Sequence, residues 1–431
     1  MIKINHKYML SYDVTGLTLA KESVGLHTAL PTVVLSTDHV GRFRAKIQTG
    51  AGIMLEGVGV VGTGPLTNLL LSTLHSVGIK VVAIWGPTEE QAREAARHFR
   101  IPFHTDKIEE VLLHQEVDLV WVTCPPHLHS QVASGALGIG KHVLCERPPG
   151  LKKEDAIKMV TAAQYYPALM SVMTLGLRFL PSYLRTKKMI QDGEIGNVFL
   201  CDIKMSCGSL LGDKYNWSCD ENMGGGVLNT IGPHIIDIIT FLTGQKIIKV
   251  RGMLKTFVKQ TDCISGIRHI TSDDFCTFQA EMSRGATATV TLNTHVPGQF
   301  KQEVLIIGSD GRLLIKDADL HGQTSSLPRE QLILADIQHI PEKQKYSLQP
   351  IPELPVLYHK GLLKLIDVLK ESFERKKERL NWDPEPITFA ATFEDALYIQ
   401  TVVDAIRCSN QSGQWANVEL LKENADDFSL F

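Results

Sequence analysis

The run Val58-Gly59-Val60-Val61-Gly62-Thr63-Gly64 constrains the fold more than any other segment. A short apolar run ends in two glycines, and an apolar-faced segment, Leu66–Val77, follows. A buried strand that turns at Gly-x-Gly into a helix is how a dinucleotide-binding unit begins. The missing side chains let the backbone approach a pyrophosphate, and the helix start offers amides and a positive dipole end. The third glycine of that fingerprint is absent, with Thr67 in its place. A tight strand–helix turn that binds nothing would read the same way, so the weight falls on what comes next.

What comes next is alternation. Lys80–Trp85 predicts a second strand, Thr88–Phe99 a polar helix, and Asp118–Thr123 and His142–Cys145 two further strands around a helix at Ser130–Leu137. Short apolar strands between helices imply a parallel sheet covered on both faces. After about Gly150 the pattern changes. Helices are expected at Glu154–Tyr165 and Phe179–Asp192, then longer strands at Val198–Ser206, Ile247–Lys259, Phe275–Glu281, Ala286–Asn293, Glu303–Gly308 and Arg312–Lys316. Ser309-Asp310-Gly311 is a hairpin turn, which makes this second sheet mainly antiparallel. Residues 321–352 read as a polar loop excursion, and helices near Tyr358–Glu374 and Phe393–Ser409 close the chain. Residues 1–53 show no sustained period and read as a disordered extension or, since Met54 stands just before the first strand, as a mispredicted start.

The formal charge of -3 on 431 residues gives no electrostatic reason to expect nucleic acid or a membrane surface. No apolar run approaches the roughly 20 residues of a membrane span. The eight cysteines lack any CxxC or zinc-ligand spacing, so no metal is expected. They read as small core residues of a reducing compartment, which favours the cytoplasm without excluding an extracellular location.

The second strand ends in Ile84-Trp85-Gly86-Pro87-Thr88, where a ribose-gripping carboxylate would stand. An uncharged site leaves room for a 2′-phosphate, to which Thr88 could donate. That favours NADP(H), with NAD(H) the alternative; a plain turn in a vacated site is the bland reading.

Further motifs carry a resemblance. They are Val122-Thr123-Cys124-Pro125-Pro126-His127-Leu128-His129, then Ala136-Leu137-Gly138-Ile139-Gly140-Lys141-His142-Val143 and Glu146-Arg147-Pro148. Arg178-Phe179-x-Pro181, Gly193-x-Ile195-Gly196 and Gly224-Gly225-Gly226…Gly232-x-His234-x-x-Asp237 continue the series. Together they resemble the glucose–fructose oxidoreductase/inositol dehydrogenase (Gfo/Idh/MocA) family over residues 54–430. Gly208-Ser209-Leu210-Leu211 and Arg268–Cys276 bring the chain nearest to its animal glucose–fructose oxidoreductase domain-containing members.

The resemblance implies an α/β protein. A Rossmann-type parallel-sheet domain over 54–175 would precede an α+β domain with a large open-faced, mainly antiparallel sheet over 176–392. A helix and tail over 393–431 would pack back on the body. It implies cofactor contacts from Gly62, Thr63, Gly64, Pro65, Leu66, Gly86, Pro87, Thr88, Cys124, Pro125, His129, Glu146 and Arg147. It also implies a homo-oligomer formed through the open sheet. Active relatives place a lysine, an aspartate and a histidine around the nicotinamide; here Arg147, Thr230 and His234 stand there. Arginine does not release its proton and threonine is no base at neutral pH, which leaves His234. Two functions follow, beside the bare reading of a scaffold that holds no nucleotide. One is a pseudo-oxidoreductase acting through cofactor and protein binding. The other is an active sugar, polyol or carbonyl oxidoreductase using His234 with Arg147 positioning substrate. His129 reads as a structural hydrogen-bonding residue, His127 as a cleft or exposed loop residue, and Asp273-Asp274 as a solvated turn.

Overall fold

Strands Val58–Val61 (β5), Leu119–Val122 (β8) and His142–Cys145 (β9) are buried along their whole length, as strands covered on both faces must be. With Val81–Trp85 (β6), Phe103–Thr105 (β7) and Ser171–Met173 (β10) they form a parallel sheet in the order β10-β9-β8-β5-β6-β7. The strand order reverses between β5 and β8, so a crevice opens beyond their carboxyl ends. A short antiparallel strand from far downstream, Ala391–Thr392 (β19), completes the edge beside β10.

The structure is a computed structural model. It describes residues 57–212, 214–260, 269–296, 300–336, 355–375 and 381–419. It also gives the backbone of four upstream strands, Met9–Asp13, Gly16–Ala20, Thr32–Thr37 and Phe43–Gln48 (β1–β4), which pair among themselves. The expectation for residues 1–53 otherwise lies outside the described residues.

Helix Pro65–Ser76 (α1) follows β5 directly and buries Leu70, Leu71 and Leu74 on the sheet, each contributing about 1.5–3 kcal/mol. Helix Glu89–Phe99 (α2) is set by its ends. The Thr88 side chain accepts from Gln91 N, Glu89 and Glu90 fill the first turn, and Arg97 and His98 the last. Those charges complement the helix dipole.

Among the described residues the second sheet has nine strands, and its centre is Val198–Ser206 (β11). β11 runs parallel to Thr287–Asn293 (β14) and antiparallel to Lys301–Gly308 (β15). Beyond β14 lie Phe275–Met282 (β13), Ile247–Lys255 (β12) and the short Ala416–Asn417 (β20). Burial alternates along β14, with Ala288, Val290 and Leu292 inward. The covered face packs on the helices Gly232–Thr243 (α8) and Phe393–Ser412 (α10). β15 turns at Ser309-Asp310 into Gly311–Lys316 (β16), as the hairpin signal predicts.

Two expectations change here. Within 321–352 the chain forms strands, Asp319–Thr324 (β17) and Leu327–Leu334 (β18), instead of a loop; residues 337–352 lie outside the described residues. β17 buries Leu320, Gly322 and Thr324 on alternate positions, but β18 is an exposed edge. Its polar composition therefore hid the pairing. The strand expected to reach Lys259 stops at Lys255, because the amides of Phe257 and Val258 donate to Asp274 instead of to a neighbouring strand.

The two sheets are joined through buried charge. Arg178 donates from Nε to both carboxylate oxygens of Asp237, at 3.0 and 2.9 Å, and from Nη2 to Asp395 at 3.0 Å. This fastens the turn after β10 to α8 and to the start of α10. Six of the described cysteines are buried and Cys408 is exposed, all of them free. Among the described residues no single helix is long and apolar enough to cross a membrane.

Candidate functional site

The glycine turn divides into a structural half and an open half. Gly62 has φ +146°, and a Cβ there would lie 2.3 Å from Thr123 Oγ1, so the fold itself demands glycine. Gly64 is exposed with an ordinary extended backbone, and a Cβ would meet nothing within 4 Å. Nothing in the packing of the described residues requires glycine there. α1 begins at Gly64 with no side-chain cap, which leaves its first amides facing the crevice side of the sheet. Thr67, at the missing third glycine, is fully buried, and its Oγ1 lies 2.9 Å from Thr123 Oγ1. Thr123 in turn donates to Val61 O at 3.1 Å. A hydroxyl chain thus does the helix-to-strand fastening.

From this turn a cavity of about 340 Å³ runs to the second sheet. Gly64, Pro65, Leu66, Cys124, His129, Glu146 and Arg147 line its first wall. Across from them stand Leu210, Leu211, Trp217 and Ile270, with Asn216, Thr230, Asp273, Asp274 and His295 as polar groups.

At the deep end Arg147 Nη1 donates to Glu146 Oε2 at 2.7 Å, both side chains under a tenth exposed. Arg147 Nε also donates to the carbonyl of Thr230 at 3.3 Å. Glu146 Oε1 is buried with no hydrogen-bond partner among the described residues. A carboxylate oxygen left bare costs about 1–3 kcal/mol or more unless something donates to it. The Thr230 hydroxyl donates back to Gly226 O at 2.8 Å within its own short helix, Val227–Thr230 (α7).

His129 Nδ1 lies 2.7 Å from Pro148 O and Nε2 lies 2.6 Å from Cys124 O, joining the ends of β8 and β9. Burial pushes its pKa down while the two carbonyls pull the other way. Burial also pushes the Cys124 thiol up to about 12, so it is neither nucleophile nor base.

Asp273 and Asp274 are not a solvated turn. Asp273 is buried, and its Oδ2 accepts from Leu228 N at 2.8 Å at the start of α7. Burial raises its carboxyl to about 6, against that hydrogen bond. Asp274 accepts from Phe257 N at 2.9 Å and Val258 N at 2.8 Å, and its Oδ1 lies 3.0 Å from His295 Nε2. Strand alternation would send adjacent carboxylates to opposite faces, but this pair precedes β13 and escapes that rule.

The remaining expected residues are placed differently. Gly62, Thr63 and Pro125 do not line the cavity. Gly86, Pro87 and Thr88 stand at the end of β6, where a Cβ on Gly86 would lie 3.0 Å from Thr63 Cγ2. His127 is exposed. His234 is off the cavity wall and 3% exposed on α8, with its ring 4.5 Å from that of Tyr358. Neither of its ring nitrogens has a partner among the described residues. Burial, then the charge of Arg147, lowers its pKa well below the usual histidine range. Asn216, Trp217 and Thr294 were not anticipated. The segments 208–211 and 268–276, which carry the subgroup resemblance, both reach this wall.

Residues 57–174 match the model of the oxidoreductase family with an NAD-binding Rossmann fold, and residues 183–314 match the GFO/IDH/MocA C-terminal domain. The chain therefore belongs to the Gfo/Idh/MocA oxidoreductase family. Glucose-fructose oxidoreductase domain-containing protein 1 of Mus musculus is 48% identical over 376 residues, covering 86% of this chain and 95% of the relative. Protein 2 of that name from Homo sapiens is 47% identical over 377 residues, covering 86% and 96%. Among solved structures, an oxidoreductase domain protein from Kribbella flavida superposes with TM-score 0.70 at 26% identity, covering 84% of this chain and 99% of its own. Levoglucosan dehydrogenase in complex with NADH and levoglucosan has the same fold, with TM-score 0.69 at 20% identity over 85% and 99%. The uncapped start of α1, the open space at Gly64 and the bare Glu146 Oε1 fit a nicotinamide dinucleotide.

Proposed function

We infer that this chain binds NADP(H) in the cavity and has lost the proton-handling half of the family's reaction, so that it works as a pseudo-oxidoreductase through cofactor and protein binding. The observation that carries this is Arg147, committed to Glu146 and to the Thr230 carbonyl. A guanidinium with a pKa above about 12 neither accepts nor releases a proton at neutral pH. The start of α1 at Gly64 would take the pyrophosphate, Gly86–Thr88 the adenosine ribose, and Cys124, His129 and Glu146 would line the nicotinamide side. A bound nicotinamide supplies hydride donation or acceptance. What this chain's residues supply is binding, orientation and, in Arg147 with Glu146, a pair without net charge on the cavity wall.

The phosphate preference rests on Gly86-Pro87-Thr88, which offers no carboxylate. The Thr88 hydroxyl accepts from Gln91 N and keeps its own hydrogen for a phosphate oxygen. Self-association through the second sheet is part of the reading. Its strands carry exposed Phe199, Met253 and Leu332, the sort of apolar surface that partners cover.

Two measurements test it. NADPH should raise the melting temperature more than NADH at equal concentration. Wild-type protein should show no steady-state turnover of sugars or polyols, while R147K/T230D regains some. Robust wild-type turnover ends the reading.

A further inference from the structure

A second cavity, of about 140 Å³, lies at the opposite end of the first sheet from the glycine turn. Val58, Leu119 and Leu144 of the sheet form its floor, and Leu74 of α1 one side. Leu369 and Phe373 close it from the helix Val356–Glu374 (α9). Val58 and Leu119 are the first residues of β5 and β8, whereas Gly64 and Glu146 follow the last residues of β5 and β9. The two cavities share no lining residue.

Its size matters. An apolar cavity of about 150 Å³ lined by leucine, isoleucine and phenylalanine is known to stay dry and to take a benzene ring. Here the floor and sides are of the same apolar kind. Lys80, Lys370 and Glu374 also line the space with their charged ends engaged, Lys80 with Glu116 at 2.9 Å, Lys370 with the Val77 carbonyl at 2.7 Å and with Glu374 at 3.6 Å. Trp121 stands on its wall, 1% exposed, and its indole Nε1 has no hydrogen-bond partner among the described residues. An N–H donor held away from water without an acceptor is costly, and native folds rarely leave one. A ligand that fills the apolar space and brings one acceptor atom removes both deficits.

We propose that this cavity is a second binding site, for a single-ring aromatic compound that carries an oxygen acceptor, of the phenol class, with Trp121 donating to that oxygen. α1 links it to the first site, since Leu74 lies near the helix end and Gly64 caps its start. A ring seated here leaves the glycine turn accessible.

Phenol and benzene are the probes, read by calorimetry and by melting temperature on the full chain. Phenol should raise the melting temperature saturably and bind at least tenfold tighter than benzene. Trp121→Phe should reduce that ratio to near one. Leu369→Trp, which fills the space, should abolish both probes' effects while the shift given by NADPH is kept, showing that the variant is folded. The proposal fails if neither probe binds. It fails also if benzene matches phenol on the wild-type protein, or if Leu369→Trp still binds phenol. None of these outcomes depends on whether the first site turns over substrate.

Discussion

Arg147 Nη1 and Glu146 Oε2 meet at 2.7 Å with both side chains nearly sealed from solvent, so neighbouring residues on one loop neutralise each other inside the cavity. Removing one member of a buried pair costs more than removing both, because the survivor keeps its desolvation penalty. Arg147→Met should cost about 3–5 kcal/mol by urea unfolding, and adding Glu146→Gln should recover most of that. Additive losses would mean that the pair does not hold charge against charge.

The two glycines of the turn separate stability from binding. Gly62→Ala puts a Cβ 2.3 Å from Thr123 Oγ1 at φ +146°, and should destabilise the protein by about 2–4 kcal/mol. Gly64→Ala meets no atom within 4 Å and should leave unfolding unchanged. It should nevertheless weaken NADPH binding at least tenfold, since the methyl group would stand where the phosphate approaches. Equal affinities for Gly64→Ala and wild type would move the nucleotide away from this turn.

Much of this was legible because the strongest motifs answer to single physical demands. Gly62 needs its φ, and the buried runs of β5, β8 and β9 need cover on both faces. Other motifs were legible as pattern but not as role. Arg178-Phe179-x-Pro181 and His234-x-x-Asp237 lie in separate segments, and only the fold shows Arg178 and Asp237 as partners in one buried pair. What stayed hidden lies at strand ends and edges. Asp273 escapes strand alternation because it precedes β13, and β17 and β18 were masked by their polar edge. The opposite wall of the cavity draws on residues from 209 to 295, a convergence that no local window contains.

Asp273 gives a pH signature. Its carboxyl is raised to about 6 by burial, so the folded state holds a proton that the unfolded chain has already lost above about pH 4. In that window the folded form binds more protons, and stability therefore falls as pH rises from about 4 to 6. Asp273→Asn keeps an acceptor for Leu228 N but carries no charge. It should match wild type near pH 4 and exceed it above pH 7, by up to about 3 kcal/mol at 1.36 kcal/mol per pKa unit. Urea midpoints at the two pH values check this; a constant offset would contradict it.

His234 is the sharpest test of whether chemistry survives. Its ring is buried against Tyr358, neither nitrogen has a partner among the described residues, and it lies off the cavity wall. A base in that position would have to surface to reach a substrate hydroxyl. If it is a packing residue, His234→Phe removes unsatisfied polar atoms and should stabilise the protein by about 1 kcal/mol at pH 7.5. The folded-state pKa lies below the ordinary histidine value, because burial and then Arg147 oppose the charge. The unfolded chain therefore takes up a proton first as pH falls through about 6.5, and wild type loses stability there. Phenylalanine has no such term, so the advantage of the variant should widen between pH 6.5 and 5. The NADPH-induced rise in melting temperature should be the same in both proteins. A variant that folds as well as wild type yet abolishes a measurable wild-type oxidation of a polyol would return His234 to the reaction.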